Sequence, residues 1–409
     1  MNTDLNGLRT LSQASLLDDE PGWLKDLRQK AWKSYTSSPM PLRSDHLWRY
    51  TNPEEFSLDF SAIDLQSPML HTGSHVAYEY DKSFKELGII VTDLKKALLD
   101  SKLAKDVFLK IVGMNHGKFQ ALNAAIWSQG VYVEIPDGLC LKDPILIRKN
   151  AVCGSFMAER MLIVIGENSR VTIVEELLGS SGPGGFLSFI TEMLVNQGAE
   201  ATFMSINNLS KNAKALYTMR GKLERDAQLK WVLASFGGSL FKADYGSILH
   251  GKNSRSEIVG VLLGDETQHL DHHTVHDHMA DHTFSDIDFR VALKDQAHST
   301  YTGVIRISPE ALHSEAFQEN NNLLLSKMAK AESIPELEIL TDEVRCKHGV
   351  TVGPIEEESL FYLMSRGISR DEAVKIIVRG FLEPIMSRIP EALADKLHKE
   401  VDLRVATIS

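Results

Sequence analysis

A cysteine and a histidine in the last quarter of the chain have a spacing that suits metal binding. One residue separates Cys346 from His348, in a segment where apolar residues also recur at every second position. Pro335 and Gly349 bound this alternation, which predicts one extended strand. Successive side chains of a strand point to opposite faces, so the thiol and the imidazole would share a face, about 7 Å apart. This donor pair suits iron, zinc or copper.

The pair would supply only part of a metal site. Closed zinc and iron–sulfur sites generally use about four protein ligands. The other cysteines, Cys140 and Cys153, are distant in sequence and form no Cys-x-x-Cys motif. We therefore infer a half-site that a partner subunit completes. A buried cysteine beside a hydrogen-bonded histidine is the structural alternative, and the spacing alone leaves it open.

A second candidate is a histidine-rich run at residues 269–282. The histidines alternate with apolar and hydroxyl residues as in a strand, so they divide between two faces. Three of them share one face and are secondary metal candidates: His272, His276 and His278. The alternative is a structural ladder of histidines that hydrogen-bond to Asp271 or Asp277.

Composition limits the class of protein that holds these residues. The 409 residues carry a net charge of −11, which argues against nucleic-acid or anionic-membrane binding. No apolar run reaches membrane-spanning length, and the acidic start, with Asp18 and Asp19, does not resemble a signal peptide. Three cysteines without a pairing pattern favour a reducing compartment, so we expect a cytoplasmic protein.

The elements that must position the candidate ligands are strands of a repeat. Alternation begins at Val131 and continues to Ile307. Within it, a turn residue followed by a small residue recurs at intervals of 30, 28 and 27 residues, with small residues Ser169, Ala199, Ala227 and Ser254. We align the next unit at Ala297, 43 residues further on, with the histidine-rich run as an insertion. Stacked units of this length favour a β-solenoid over an antiparallel sandwich.

Helical patterns flank the repeat and divide the chain into three predicted units. Residues 1–129 are mostly helical, residues 130–353 form the β-helix and end in the strand of the candidate ligands, and residues 354–409 are helical again. In the last unit, Gly367 ends one helix, while Ser369 begins the next with a capping box. We expect that second helix to stop at Gly380.

Several segments, in order, carry a resemblance to a known family. The runs Cys346–Gly353 and Leu360–Gly367, followed by Gly380 and Phe381, resemble the C-terminal signature of the SufB/SufD family. Residues 318–326 and 335–339 are similar to the same family. Gly349 indicates the SufD branch, since the SufB branch is expected to carry a glutamate there. The departures are Lys347, Val350 and Pro354, which concern the details of the metal pocket.

The resemblance implies a fold, partners and a cargo. The fold would be a right-handed parallel β-helix flanked by helical regions. One SufB, two SufC and one SufD subunit would act together, holding a nascent iron–sulfur cluster or iron between SufB and SufD, with Cys346 and His348 as ligands. The end of the β-helix would bind the SufB-like subunit. The C-terminal helices would bind the ATPase SufC through Leu360, Phe361, Met364, Ile376, Ile377 and Phe381.

The predicted role is that of a non-catalytic scaffold subunit. The sequence contains no Gly-x-x-x-x-Gly-Lys-Ser/Thr motif, so we expect no ATP site in this chain. Two alternatives remain open. One is a SufB-like paralogue that assembles clusters as a homodimer, and the other is a carbohydrate-active β-helix enzyme. Gly349 and the single cysteine of the signature argue against the first, and the absence of an aspartate cluster on a regular repeat argues against the second.

Overall fold

The computed structural model describes residues 20–57, 75–80, 83–153, 156–182 and 185–406. The first predicted unit, residues 1–129, therefore includes three stretches, 1–19, 58–74 and 81–82, that lie outside the described residues. The α-helices are α1 Gly22–Ser37, α2 Leu94–Asp100, α3 Lys102–Val107, α4 Lys118–Ile126, α5 Glu357–Ser365, α6 Arg370–Met386 and α7 Glu391–Ala406.

The described residues contain eighteen strands, of which the first two lie within the N-terminal region and the others between the helical regions. They are β1 His75–Tyr80, β2 Ile90–Asp93, β3 Gln129–Ile135, β4 Ile145–Cys153, β5 Phe156–Ile165, β6 Arg170–Ser181, β7 Phe186–Val195, β8 Glu200–Leu209, β9 Lys214–Leu223, β10 Gln228–Ser235, β11 Leu240–Leu249, β12 Arg255–Gly264, β13 His269–His278, β14 Phe284–Leu293, β15 His298–Ile307, β16 Glu315–Leu324, β17 Lys330–Ile339 and β18 Arg345–Pro354.

The strands form two sheets that face each other across one interior. Sheet A has the order β1-β4-β6-β8-β10-β12-β14-β16-β18, and sheet B the order β17-β15-β13-β11-β9-β7-β5-β3-β2. From β3 onwards, consecutive strands alternate between the sheets, and the pairs are parallel except β1 with β4 and β2 with β3. The predicted parallel β-solenoid with helices at both ends is confirmed.

A ladder of turns holds successive coils in register. Asn168, Asp226 and Asn253 take the left-handed conformation, with φ between 53° and 61°. Asparagine, aspartate and glycine tolerate this region best, which explains the turn residues of the repeat. The backbone N–H of each turn donates to a carbonyl of the next coil, as from Asn168 to Gln197 at 2.9 Å. The ladder satisfies backbone groups that the strands leave unpaired.

The last unit of the predicted repeat was aligned incorrectly. Thr283, 29 residues after Ser254, occupies the position assigned to Ala297, because Arg255 pairs with Phe284 at the next coil. Ala297 precedes β15 in sheet B and belongs to the other corner of the coil. Both corners carry a turn residue followed by a small one, so the sequence pattern confused them. The histidine-rich run is therefore a regular strand, β13, with no insertion.

The prediction of one strand between Pro335 and Gly349 is also wrong. Pro335 lies inside β17 and Gly349 inside β18, and these strands belong to opposite sheets. A turn around residues 340–344 separates them. Each side of the turn shows period-two spacing because both strands direct alternate residues to the interior, but Ile339 and Val344 are five residues apart, which breaks the phase. The placement of Cys346 and His348 on one face survives this correction, since both lie in β18.

The helical regions pack on the outer faces of the two sheets. Helices α1 and α4 share a buried cluster with sheet B, in which Phe56 contacts Phe186 with ring centroids 5.3 Å apart. Helices α6 and α7 bury Val378, Leu382 and Ile385 against outward side chains of sheet A. No helix in the described ranges is long and apolar enough to cross a membrane. Each sheet therefore has a protein-covered outer face.

The C-terminal helices differ from prediction at one boundary. Gly367, with φ of 85°, follows the end of α5 as expected, and Ser369 caps α6 by accepting from the N–H of Glu372. However, α6 continues through Gly380 to Met386 and even contains Pro384. Burial of the helix against sheet A outweighs the propensity cost of the glycine, which is about 1 kcal/mol.

A buried ion pair joins the N-terminal region to the solenoid. The Arg160 guanidinium lies 2.8 Å from the Glu192 carboxylate, and both side chains are almost fully buried. The same carboxylate accepts hydrogen bonds from the backbone N–H groups of Leu109, Ile111 and Val112. Three backbone donors and one guanidinium thus compensate for the desolvation of a single carboxylate.

We expect Glu192→Ala to lower the free energy of unfolding by about 3–5 kcal/mol, because it leaves the Arg160 charge buried without its partner. Urea unfolding followed by circular dichroism measures the change. Glu200→Ala is the matched control, since it breaks the solvent-exposed Arg170–Glu200 pair and should change stability little. Equal losses in the two variants would contradict this account.

Candidate metal centre

Strand β18 places Cys346 and His348 at one end of the solenoid. It ends the strand order of sheet A and pairs in parallel with β16, with Cys346 opposite Ala316 and His348 opposite Gln318. Ala316 and Gln318 are fully buried interior residues. Side chains in register on neighbouring parallel strands share a face, so the thiol and the imidazole face the interior side.

The interior face of β18 is open to solvent. In the preceding strands such side chains are covered by the next coil, but no described residue covers β18. Val350 and Val352, which continue the same face, are 37% and 46% exposed. Exposed aliphatic side chains and an unpaired strand edge at one place indicate a surface for another chain.

The two candidate ligands have different surroundings. The Cys346 thiol is partly buried and packs beside Ile305, Ile307 and Ala316. Burial raises the pKa of this thiol above its ordinary value. A metal that binds there must displace the thiol proton, so binding releases a proton. His348 is exposed.

The donor set fits one half of a metal site. One sulfur and one imidazole nitrogen on an open face suit a soft or borderline metal. The described residues contain no group of three or more His, Cys, Asp or Glu that could hold a metal ion. A stable site at this face therefore needs ligands from outside the described residues, as a docked partner would supply. The metal role of Cys346 and His348 stays a prediction.

An amide layer lies directly beneath the candidate ligands, which the sequence analysis did not identify. Gln318, Asn320 and Asn322 alternate along β16 and face the interior. The Asn322 amide donates to Asn320 at 2.6 Å and to the backbone carbonyl of Thr351 in β18 at 3.0 Å. The period-two spacing of three amides was visible in the sequence, but the neighbouring strand that they face was not.

The secondary metal candidates are interior residues with hydroxyl partners. The imidazoles of His272 and His276 lie 2.9 and 3.2 Å from the hydroxyls of Ser235 and Ser256. His278 contacts two hydroxyls, one of them Ser285 at 2.8 Å. The predicted sharing of one face is therefore observed, but the predicted hydrogen bonds to Asp271 or Asp277 are wrong.

The true partners of these histidines come from neighbouring coils and corners rather than from their own strand. Asp271 instead binds Lys242 at 2.7 Å on the outer face of sheet B. Burial lowers the pKa of His272 to about 4 and that of His278 to about 3. Neutral imidazoles held by hydroxyls form a structural ladder, which the sequence analysis gave as the alternative to a metal site.

The six residues expected to bind a partner divide into exposed and buried groups. Leu360 is only 2% exposed, so its assignment to a docking surface is corrected to helix packing. Ile377 and Phe381 are partly buried against the outer face of sheet A. The exposed members are Phe361, Met364 and Ile376. The sequence analysis missed Tyr362, which is 57% exposed beside Phe361.

Comparison with known proteins gives concordant matches over most of the chain. Residues 147–381 match the family model described as SUF system FeS cluster assembly, SufBD core domain. The iron–sulfur cluster assembly protein SufB of Bacillus subtilis is 28% identical over 426 aligned positions, covering 95% of this chain and 90% of the relative. A SufBD family protein of Staphylococcus haemolyticus is 28% identical with the same coverage.

We expect the interior histidines to make stability fall as pH decreases. An unfolded histidine takes up a proton below about pH 6.5, whereas folded His272 stays neutral until about pH 4. The contribution of His272 to the free energy of unfolding is thus fully present above about pH 6.5. It is lost as the pH falls towards 4, at up to about 1.4 kcal/mol per pH unit.

Urea unfolding between about pH 5 and about pH 7 measures this slope. His272→Gln should flatten it, because the variant has no proton to bind at this position. Leu403→Gln, at a 64% exposed residue without a titrating group, serves as the control and should leave the slope unchanged. An unaltered slope in His272→Gln would refute the assignment of a buried neutral imidazole.

Proposed function

The chain belongs to the SufBD family of the SUF iron–sulfur cluster assembly system, and from this premise we propose that it is a SufD-type scaffold subunit without catalytic activity. Its cargo is iron or a nascent iron–sulfur cluster, held at the open end of the solenoid together with a SufB-like subunit. The open interior face of β18, with Cys346 and His348 on it, carries this proposal. We expect the subunit to act in the cytoplasm.

The residue after His348 supports the SufD assignment. The SufB branch is expected to carry glutamate where this chain has Gly349. A Cβ at this position would meet only the Glu319 side chain, at an ordinary 3.9 Å. Packing therefore does not require glycine here. Gly349 pairs with Glu319 on the outer face of β18, so it distinguishes the branches without changing the donors on the interior face. A chain with one thiol and one imidazole at this face depends on its partner for further ligands.

The exposed end supports a heterodimeric contact. Edge strands β17 and β18 present unpaired backbone groups, and Val350, Val352 and Leu340 add exposed apolar surface around the candidate ligands. A second solenoid that docks there would cover the interior face and add its own ligands to the same site. Metal binding and subunit association would then stabilise each other.

The helix α5 supports docking of a SufC-type ATPase. Phe361, Tyr362 and Met364 are exposed on one short helix, with Phe361 at 74%. Large side chains that remain exposed on an amphipathic helix are suited to a groove on a partner. ATP hydrolysis in that partner would move the helical end of this subunit and bias the contact between the scaffold subunits.

A SufB-like homodimer is the second candidate, favoured by the similarity to the SufB protein of Bacillus subtilis over 95% of the chain. The two functions differ in what the isolated chain does. A SufB-like chain forms a cluster on its own, whereas a SufD-type chain requires a partner. The family match concerns cluster assembly, so it gives no support to the alternative of a carbohydrate-active enzyme.

Replacing the candidate histidine should lower the iron content of the complex. We expect His348→Ala, purified anaerobically with the SufB-like and SufC-like subunits of its organism, to retain both partners but less iron per complex. His250→Ala removes an exposed histidine distant from β18 and should keep the iron of the wild type. Iron and sulfide quantitation measures the difference. If wild type binds neither partner, the scaffold function fails.

Replacing an exposed aromatic residue should separate the ATPase subunit from the complex. We expect Phe361→Asp to weaken binding of the SufC-like subunit at least about tenfold, since buried aromatic anchors contribute about 2 kcal/mol or more. The control Leu403→Asp alters a 64% exposed residue on α7. Isothermal titration calorimetry measures both affinities. Equal affinities of the two variants would exclude α5 as the docking helix.

A further inference from the structure

The interior beneath His348 contains polar atoms without partners. The Gln318 side chain is 1% exposed, and its carbonyl oxygen Oε1 has no hydrogen-bond partner among the described residues. Its amide nitrogen makes one long contact, 3.5 Å to the carbonyl of Gly303. An unsatisfied buried acceptor costs about 1–3 kcal/mol, so this oxygen requires a donor.

The opposite strand leaves space for this amide. Gly303 in β15 faces the interior, and a Cβ there would collide with the Gln318 amide nitrogen and the Tyr301 hydroxyl. The Gln318 side chain therefore extends across the interior towards sheet B. Because its nitrogen is directed to the Gly303 carbonyl, its oxygen is the end of the amide left for another donor.

The nearest coil above Gln318 supplies one candidate donor. His348 is its register partner in β18, on the same face, at the usual strand separation of about 4.8 Å. A neutral imidazole has one N–H and one nitrogen lone pair, and a hydrogen bond to the N–H decides which nitrogen is free. Metal-binding histidines are commonly oriented in this way.

We propose that Gln318 is a positioning residue for His348: its carbonyl oxygen accepts the ring N–H of His348 and directs the other ring nitrogen to the open face for the metal. This inference rests on the proposed function for the identity of the cargo. The contact itself is a property of the chain alone, so it can be tested without any partner. Gly303 takes part by leaving room for the amide.

The test uses the full-length chain with ¹⁵N-labelled histidine rings, studied by NMR about two pH units above the ordinary histidine pKa of about 6.5. Comparison with His348→Gln assigns the His348 signals. Wild type should show one ring tautomer, and Gln318→Met a mixture of two. Co²⁺ titration of the complex with the SufB-like subunit, followed by its visible absorption, should give an affinity about tenfold weaker in Gln318→Met.

Three variants separate positioning from a general structural effect. Gln318→Glu retains an acceptor and should restore the single tautomer. Gly303→Ala displaces the Gln318 amide without changing it and should give a mixture of two His348 tautomers. This variant keeps the test valid if Gln318→Met does not fold. Glu319→Gln, at an exposed neighbouring position on β16, should match wild type.

The outcomes distinguish this inference from the proposed function. An unchanged tautomer in both Gln318→Met and Gly303→Ala overturns the role of Gln318, whatever the metal affinity. Alternatively, both variants show the expected mixture of tautomers while the wild-type chain and its scaffold complex bind no Co²⁺. In that case the positioning contact stands and the metal half-site of the proposed function fails.

Discussion

Every coil of the solenoid depends on the next coil to cover its interior side chains. A single coil cannot bury both faces, and the turn ladder from Asn168 onwards keeps successive coils aligned so that burial is continuous. This requirement is met until β18, where the described chain ends the stack. The open interior face is thus a consequence of the architecture, and any ligand side chain on it is exposed without a separate loop or cleft.

The interior changes character towards that end. The first coils contain a fully buried ion cluster of Lys149 with Glu159 and Glu175 among aliphatic and aromatic side chains, whereas later coils contain hydroxyls, neutral histidines and finally amides. His272 and His278 are buried as neutral rings that hydrogen-bond to hydroxyls, so they add no charge to the core at these positions. The amides lie under Cys346 and His348, where an apolar layer could not orient an imidazole.

The solenoid could be predicted from the sequence because turn residues that tolerate the left-handed conformation, such as Asn168 and Asn253, recur once per coil. The sequence also predicted a shared face for Cys346 and His348, because strand geometry alone determines that. It did not predict the hydroxyl partners of His272 or the amide beneath His348, because these neighbours lie on other coils. The separation of β17 from β18 was missed since both strands direct alternate residues to one interior.

The central claim is that the open end of the solenoid binds iron through this chain together with a partner. Iron K-edge X-ray absorption of the anaerobically loaded complex tests it most directly, because imidazole ligands produce characteristic outer-shell scattering. The account predicts sulfur ligands plus an imidazole contribution in the wild-type complex, and loss of that contribution in an intact His348→Ala complex. An identical iron environment in both complexes would contradict it.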